Sequence, residues 1–515
     1  MSNNTLVKSV GLVTIITIIG KLLGFGRETF MAAYFGTSYE ADLYYVASVV
    51  PNILFAAIGM AITTGMIPLY IENKKKNPKL AYEEVSALST LFIVLSFIVT
   101  SVCMIFTYQL VKIIAPGFQN EPEHMDLAVS LTRIILPVSF FLVLSSLAQG
   151  ILNANKKFLA PAMVTIPNNL IIIGSIILFT NSYGIYGVAV GTLLGGISQY
   201  LIQYPSLKND RIKLNFQFKK HKKYIINNLK LFFPIIIAGV TFQFIEIFNR
   251  ILASGLNEGS ISALNYSMKL MYLPLSVLLM SIITVIFPNL VEAANNKTTM
   301  FKEDVWKGFI TLCLITLPIA VVMIIEAVPL VKIVFERGAF TEEDTQKTAH
   351  SFIFYSAGLI FIASREYLVR CFLAIKASKI IMVTSVISLF FNISISFLLS
   401  KIMGHGGIAL GTSLSFTLQT FILLIIIGKK LTLSKEDWIK WGKGIIKLII
   451  LSLFLIIGSL FIHKYISGIF NSFIELLIMT SIIFTLFFLI TYFLKFAELV
   501  HIFNNIRKKF IPKRY

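Results

Sequence analysis

The stretch LSTLFIVLSFIVTSVCMIFTYQLVKII, residues 88–114, carries a single charge, Lys112, near its end. A helix rises ~1.5 Å per residue, so about 20 such residues cross the ~30 Å hydrocarbon core of a bilayer. Comparable runs recur at 166–179, 312–325, 380–399, 445–462 and 473–493, most of them bounded by charged or Gly/Pro-containing loops. The chain as a whole is 56% hydrophobic and 14% charged, with a mean hydropathy of +0.82. Soluble domains hold about 25% charged residues, so this excess of apolar surface has to face lipid. Strand-period alternation with turn signals is absent, which disfavours a membrane barrel. The first apolar run is interrupted by Lys21 and Arg27 and lacks a small-x-small cleavage site, so it reads as a retained helix.

Reading outward in both directions predicts an all-α integral membrane protein of about fourteen transmembrane helices. They fall near 9–34, 43–71, 85–114, 127–153, 160–181, 185–205, 225–254, 261–292, 305–334, 349–374, 380–400, 406–428, 443–463 and 471–495. The connecting loops alternate in charge. Cations fill every second one: Lys74, Lys75, Lys76 and Lys79; Lys156 and Lys157; Lys208, Arg211, Lys213, Lys219, Lys220, Lys222 and Lys223; Lys297 and Lys302; Lys429, Lys430, Lys435 and Lys440. The tail adds Arg507, Lys508, Lys509, Lys513 and Arg514, whereas the loops 36–42, 115–126, 181–184 and 255–260 hold none. The positive-inside rule then places both termini in the cytoplasm of a multi-pass cell-membrane protein. It also accounts for much of the net charge of +20, from 45 Lys and Arg against 25 Asp and Glu, without a nucleic-acid partner.

The two halves repeat each other. Gly187-Val-Ala-Val-Gly-Thr192 returns as Gly407-Ile-Ala-Leu-Gly-Thr412, Gln199 as Gln419 and Lys156 as Lys376, each 220 residues on. Arg27, Gly36 and Pro51 return as Arg250, Gly259 and Pro274, 223 residues on. An offset of six helices keeps both copies in one orientation, which predicts two six-helix lobes in a parallel pseudo-twofold repeat. The expected division is 1–220 for the first lobe, 221–440 for the second, and 441–515 for two added C-terminal helices with a basic cytoplasmic tail.

Charges inside these helices nominate a site. Helix 1 reads Gly20-Lys-Leu-Leu-Gly-Phe-Gly-Arg-Glu28, with three ionisable groups in a segment that must span. A charge at mid-membrane costs about 2.5–3.5 kcal/mol on insertion scales, so such groups face a partner or a wet cavity. Lys21, Gly24 and Glu28 share a face, with Arg27 to its side. Lys269 lies about two turns into helix 8, in the opposite lobe, so Lys21, Arg27 and Lys269 are the expected ligands of an anionic substrate, with Glu28 beside them. Asp42 opens helix 2 at the outer surface. Arg250 reads as a snorkelling cation, and Arg365, Glu366 and Arg370 as either an ion pair with a snorkelling neighbour or part of the site. Gly24 and Gly26 permit a bend or a close helix contact, and Pro51 and Pro274 interrupt the backbone ladder where bending between lobes is expected.

Enzyme chemistry has no foothold. No phosphate-binding Gly-x4-Gly-Lys-Ser/Thr loop and no nucleophile motif occurs. Histidines 124, 221, 350, 405, 463 and 501 fall at no ligand spacing, so no metal is nominated. Cys103, Cys313 and Cys371 sit inside apolar runs and read as small hydrophobes. No cofactor is expected. Neither a coupling-ion site nor an oligomeric state has a signature.

The segments Gly20–Glu28, Ala41-Asp42, Val50-Pro-Asn-Ile-Leu54, Ile114-Ala-Pro-Gly-Phe118, Gly150-Ile-Leu-Asn153 and Phe335-Glu-Arg-Gly-Ala-Phe-Thr341 together resemble the MurJ/MviN lipid II flippases. These belong to the multidrug/oligosaccharidyl-lipid/polysaccharide exporter superfamily. The resemblance, which spans helices 1 to 12, implies a two-lobed V-shaped fold. It implies transfer of an undecaprenyl-diphosphate-linked peptidoglycan precursor from the inner to the outer leaflet. The expected mechanism is alternating access between the two lobes, driven by the membrane potential, with Na⁺ or H⁺ as candidate coupling ions. The resemblance also implies that the family's cavity cations correspond to Lys21, Arg27 and Lys269, its helix 2 acid to Asp42, and its tail groove to helices 13 and 14. Asn52, of the Pro-Asn pair in that motif, is a possible supporting residue. The chain departs from the family in three places. Phe55-Ala-Ala stands where many members have an arginine, Lys21 and Lys269 replace arginines and so lose bidentate phosphate binding, and Tyr272 replaces an acid. Those departures leave a flippase for another polyprenyl-linked glycan as the nearest rival. A drug/cation antiporter is a more distant one, because Lys21 and Arg27 would repel a cationic substrate.

Overall fold

In the computed structural model, residues 3–60, 62, 67–207, 213–295, 299–494 and 496 are described. The basic residues Lys208, Arg211, Lys297 and 507–514, together with the side chain of Phe55, lie outside the described set. Among the described residues every regular element is helical. The order begins α1 (Asn3–Phe35), α2 (Tyr39–Ala47), α3 (Val49–Met60), α4 (Ile67–Lys76), α5 (Pro78–Ile105) and α6 (Thr107–Ile114). Next come α7 (Pro122–Ile135), α8 (Val138–Ala154), α9 (Leu159–Met163), α10 (Thr165–Leu201), α11 (Lys222–Ser254), α12 (Ser260–Asn295) and α13 (Thr299–Ile325). The last are α14 (Ala327–Phe335), α15 (Glu342–Ala357), α16 (Leu359–Ala374), α17 (Ser378–Lys430), α18 (Lys435–Ile466) and α19 (Ser472–Leu494).

Among the described residues seven helical stretches, one joining α7 with α8 and one α9 with α10, are long and apolar enough to cross a membrane, or eight if α15 and α16, bent by 45° at Gly358, form one span. Two of the long ones are double. A 53-residue helix such as α17 would be about 80 Å long if straight, far beyond the hydrocarbon layer. Gly404 breaks it at φ 57°, ψ −136°, and Gly184 breaks α10 at φ 54°, ψ −141°. Beyond each glycine the chain turns back on itself. A Cβ on Gly187 would lie 2.9 Å from Phe179 Cβ, and one on Gly191 1.9 Å from Ser175 Oγ. Equivalently, a Cβ on Gly407 would lie 2.2 Å from the Leu399 carbonyl oxygen, and one on Gly411 2.2 Å from Ser396 Oγ. The glycines four residues apart let the two arms of each antiparallel hairpin touch backbone to backbone. The described parts of the fourteen expected segments lie largely on helix, which is consistent with that count.

The repeat is written into the backbone torsions as well. Lys156 and Lys376 both adopt left-handed φ, 59° and 56°. Each ends its helix with the same bond pattern. The Lys157 N–H donates to the Leu152 carbonyl at 2.8 Å, and the Ala377 N–H to the Phe372 carbonyl at 2.9 Å. This is the six-to-one closure of a Schellman motif, and it explains why a residue other than glycine is held there twice. The third helix of each copy is broken at the same point, at Phe106 (φ −96°, ψ 24°) and Glu326 (φ −99°, ψ 30°).

Two compact units group the chain: Met1–Tyr266 with Arg337–Thr341, and Ser267–Glu336 with Glu342–Tyr515. The core of the first is built where Leu88 and Phe92 of α5 meet Val143 and Leu147 of α8. In the second, Phe309, Cys313 and Leu317 of α13, Leu368 and Phe372 of α16, Leu451 and Leu455 of α18, and Met479 and Ile483 of α19 form one cluster. Cys313 and Cys371 are buried within it, in keeping with their reading as small hydrophobes. Large apolar side chains also cover the outside, among them Ile105, Ile402, Tyr492 and Phe493, each more than 70% exposed. A soluble monomer does not display such a surface; a lipid-embedded one must.

Two motif glycines are explained by close approach. Gly117 lies so near α11 that a Cβ would sit 1.8 Å from the Ser254 carbonyl oxygen. Gly338, at φ 62°, lets the 337–341 segment dock on the end of α1, where the Ala339 N–H donates to the Ala33 carbonyl at 2.7 Å. A Cβ there would lie 2.2 Å from that same carbonyl. Gly338→Ala combines left-handed strain with a backbone clash and should destabilise the protein by about 3 kcal/mol, read as a lowered unfolding midpoint in detergent.

Candidate functional site

Glu28 is the hub of the first unit. Its side chain is buried, and Arg27 Nη2 contacts Oε1 at 2.6 Å. The Tyr45 hydroxyl donates to Oε2 at 2.8 Å, and Asn265 Nδ2 donates to the same oxygen at 3.0 Å. Arg27 Nη1 reaches Asn169 Oδ1 at 3.5 Å, while Asn169 Nδ2 donates to the Gly20 carbonyl at 3.2 Å. The adjacent pair is thus joined to α2, α10 and α12 by neutral polar side chains. The arginine keeps 26% of its side chain exposed, against 3% for the glutamate. Arg27 is therefore a partly open cation held in place by a closed anion.

Lys21 lies about one and two-thirds turns before Arg27 on α1 and is half-buried. The helix runs unbroken through Gly24 and Gly26. Its glycines at 20 and 24 serve close packing: a Cβ on Gly20 would sit 2.1 Å from Thr165 Oγ1, and one on Gly24 3.4 Å from Asn169 Nδ2. The backbone break that accompanies Pro51 falls at Ser48, between α2 and α3, and Asn52 beside it is exposed. Pro274 lies inside the continuous α12.

Asp42, expected at the outer surface where helix 2 opens, has its side chain buried in the protein. Its Oδ2 accepts from the Gly259 N–H at 2.9 Å and its Oδ1 from the Ser262 N–H at 2.7 Å, so it caps the N-terminus of α12. A helix start leaves its first amides without intrahelical partners, and a carboxylate answers both the bonds and the dipole. Asp42→Ala should cost about 2 kcal/mol, and Asp42→Asn less, in the same unfolding measurement. Arg250, expected to snorkel, instead donates from Nη1 to the Tyr45 carbonyl near the end of α2. That carbonyl end of a short helix is a natural seat for a cation.

In the second unit Lys269 on α12 is exposed. Arg365 on α16 donates from Nε to Gln419 Oε1 at 3.0 Å, pairs through Nη1 with Glu366, and lies over the Phe416 ring at 5.6 Å. Gln419 in turn donates to Ser385 Oγ at 3.0 Å. The Arg365–Glu366 ion pair is present, and repeat partner Gln419 orients it. At the equivalent positions of the first copy stand Ser145 and Ser146, where Gln203 Nε2 donates to Ser145 Oγ at 2.8 Å. Arg370 Nε is buried without a hydrogen-bond partner among the described residues. Tyr45, Asn169 and Asn265, which hold the Arg27–Glu28 pair, carry no signal in the sequence: each is an ordinary polar residue until the fold gathers them.

Helical hairpins repeated along the chain, an apolar exterior and an adjacent Arg–Glu pair inside each unit define a multi-pass α-helical membrane protein of the transporter type. An inward-facing multidrug transporter of the MATE family in the MOP superfamily shares that fold. It matches at 13% identity with a TM-score of 0.65, over 82% of this chain and 98% of that one. Residues 31–504 match the family described as lipid II flippase MurJ, and the chain belongs to it. Among its relatives, the "Probable lipid II flippase MurJ" of Buchnera aphidicola subsp. Acyrthosiphon pisum is 30% identical over 472 residues, covering 90% of this chain and 92% of that protein. The lipid II flippase MurJ of Burkholderia cenocepacia is 27% identical over 431 residues, covering 80% and 82%. A solved lipid II flippase MurJ in an inward closed conformation superposes with a TM-score of 0.80 at 26% identity, covering 94% of this chain and 99% of that one.

Proposed function

We propose that this protein is a lipid II flippase, carrying a polyprenyl-diphosphate-linked saccharide from the inner to the outer leaflet of the bacterial cytoplasmic membrane, with both termini in the cytoplasm. The observation that carries the reading is the end-to-end correspondence with a solved lipid II flippase. The activity is transport and breaks no covalent bond. The two repeats act as lobes in alternating access. Lys21, Arg27 and Lys269 are the candidate ligands of the diphosphate, while the polyprenyl tail stays in the bilayer. Glu28 fixes the guanidinium of Arg27, so that its exposed part is preset toward an anion.

The membrane potential favours this direction. Each elementary charge is worth about 2.3 kcal/mol per 100 mV. With the cell interior negative, a diphosphate of about two negative charges runs downhill outward by roughly twice that value. Na⁺ or H⁺ would reset the empty carrier. The test is complementation of a strain depleted of its own lipid II flippase. Rescue of growth is expected; failure by a correctly inserted protein would turn the assignment to another polyprenyl-linked glycan.

A further inference from the structure

The break in the third helix of each repeat has the same backbone but different surroundings. In the first copy Phe106 stands there, about half exposed. In the second copy the residue is Glu326, completely buried, at the junction of α13 and α14. The added hairpin of α18 and α19 reaches this junction with two ionisable side chains. His463, in the last turn of α18, brings Nδ1 to 3.0 Å from Glu326 Oε1 and 3.8 Å from Oε1 of Glu475, in the first turn of α19. One ligand atom from each of the three lies within 4.8 Å of the others. Glu326 Oε2 is buried with no hydrogen-bond partner among the described residues.

We propose that Glu326, His463 and Glu475 form a binding site for a divalent transition cation of the zinc class. Charge is the first argument. Two acidic side chains gathered beside one histidine in a buried setting carry, when ionised, the two negative charges that a divalent cation bound with neutral imidazole would balance. Geometry is the second. Zinc bonds of ~2.0–2.2 Å in a tetrahedron place donors roughly 3.3–3.6 Å apart; the two pairs made by His463 Nδ1, at 3.0 and 3.8 Å, bracket that spacing, and the two carboxylates lie within 4.8 Å of each other. Donor type is the third. One nitrogen and two carboxylate oxygens suit zinc, whereas calcium and magnesium favour all-oxygen sets. His463 retains 25% exposure of its side chain, which supplies the entry path and the side for a fourth, water ligand. The site would pin the α18–α19 turn to the break in the second repeat, a role separate from diphosphate binding. The ligands stand 137 and 12 residues apart, which is why sequence spacing does not reveal them.

The full-length protein, purified in detergent and stripped with a chelator, is titrated with zinc chloride alone, with magnesium chloride as the comparison. The proposal expects one zinc per chain and a raised unfolding midpoint, with neither effect from magnesium. His463→Ala and Glu326→Gln should weaken zinc binding by more than the roughly 100-fold typical of losing a supporting residue, while His124→Ala leaves it intact. Absence of stoichiometric zinc on the wild-type protein overturns the proposal, as does retained binding in folded His463→Ala or Glu326→Gln. Cobalt provides a readout that needs no variant. Wild-type protein loaded with Co²⁺ should show the intense visible bands of a four-coordinate site, and a spectrum of hexaaquo cobalt overturns the assignment.

Discussion

Glu28→Ala is expected to destabilise the protein by about 3 kcal/mol or more, one of the largest losses available to a single side chain here. The carboxylate is buried and receives three donors from three different helices: the Arg27 guanidinium, the Tyr45 hydroxyl and the Asn265 amide. Truncation leaves those donors facing a void, and the guanidinium loses its counter-charge inside the membrane. Removing one partner of such a pair is far more harmful than removing both. Glu28→Gln retains an acceptor but not the charge, so it should fall between alanine and wild type. Arg27→Met combined with Glu28→Leu should recover part of the loss suffered by Glu28→Ala, because no uncompensated charge remains. Thermal and denaturant unfolding in detergent distinguishes these outcomes. An alanine variant as stable as wild type would mean that the hub does not tie the helices together.

The same hub shows where sequence reading reaches and where it stops. Run length alone locates the helical segments, since ~20 apolar residues in a row have few alternatives to a membrane helix. Gly184 and Gly404 are legible as boundaries because the flanking runs are together too long for one crossing. The repeat is legible because Gly187, Gly191, Gly407 and Gly411 serve a close hairpin contact that tolerates no side chain. Breaks at Phe106 and Glu326 leave no such trace: neither residue is a helix breaker, and apolar sequence continues on both sides. Charges are visible in sequence, but their partners are not. Asp42 reads as an outer-surface acid until α12 begins directly against it. Lys21, Gly24 and Glu28 read as one face, yet Gly24 proves to be a packing position beside Asn169. Long-range pairing of common polar residues depends on the folded geometry, and composition cannot supply it.

Translocation should fall most steeply in Lys269→Ala, Lys21→Ala and Arg27→Ala, by about 10- to 100-fold each if every cation makes one charge-assisted contact to the diphosphate worth ~1.5–3 kcal/mol. The measurement is the appearance of headgroup in the outer leaflet, scored with a membrane-impermeant reagent, alongside rescue of the depleted strain. Lys269→Ala is the cleanest of the three. Its side chain is exposed, so truncation removes charge with little packing loss, and the variant should unfold at the wild-type midpoint. Arg27→Ala mixes two effects, since it also strips the counter-charge from Glu28; its loss of transport must be compared with its loss of stability. Lysine-to-arginine exchanges sharpen the test. A guanidinium offers two parallel donors to a phosphate, so Lys21→Arg and Lys269→Arg should keep or raise transport, whereas Arg27→Lys forfeits the forked geometry that reaches Glu28 and Asn169 together. Wild-type translocation by Lys269→Ala and Lys21→Ala in a correctly inserted protein would show that the diphosphate is held elsewhere.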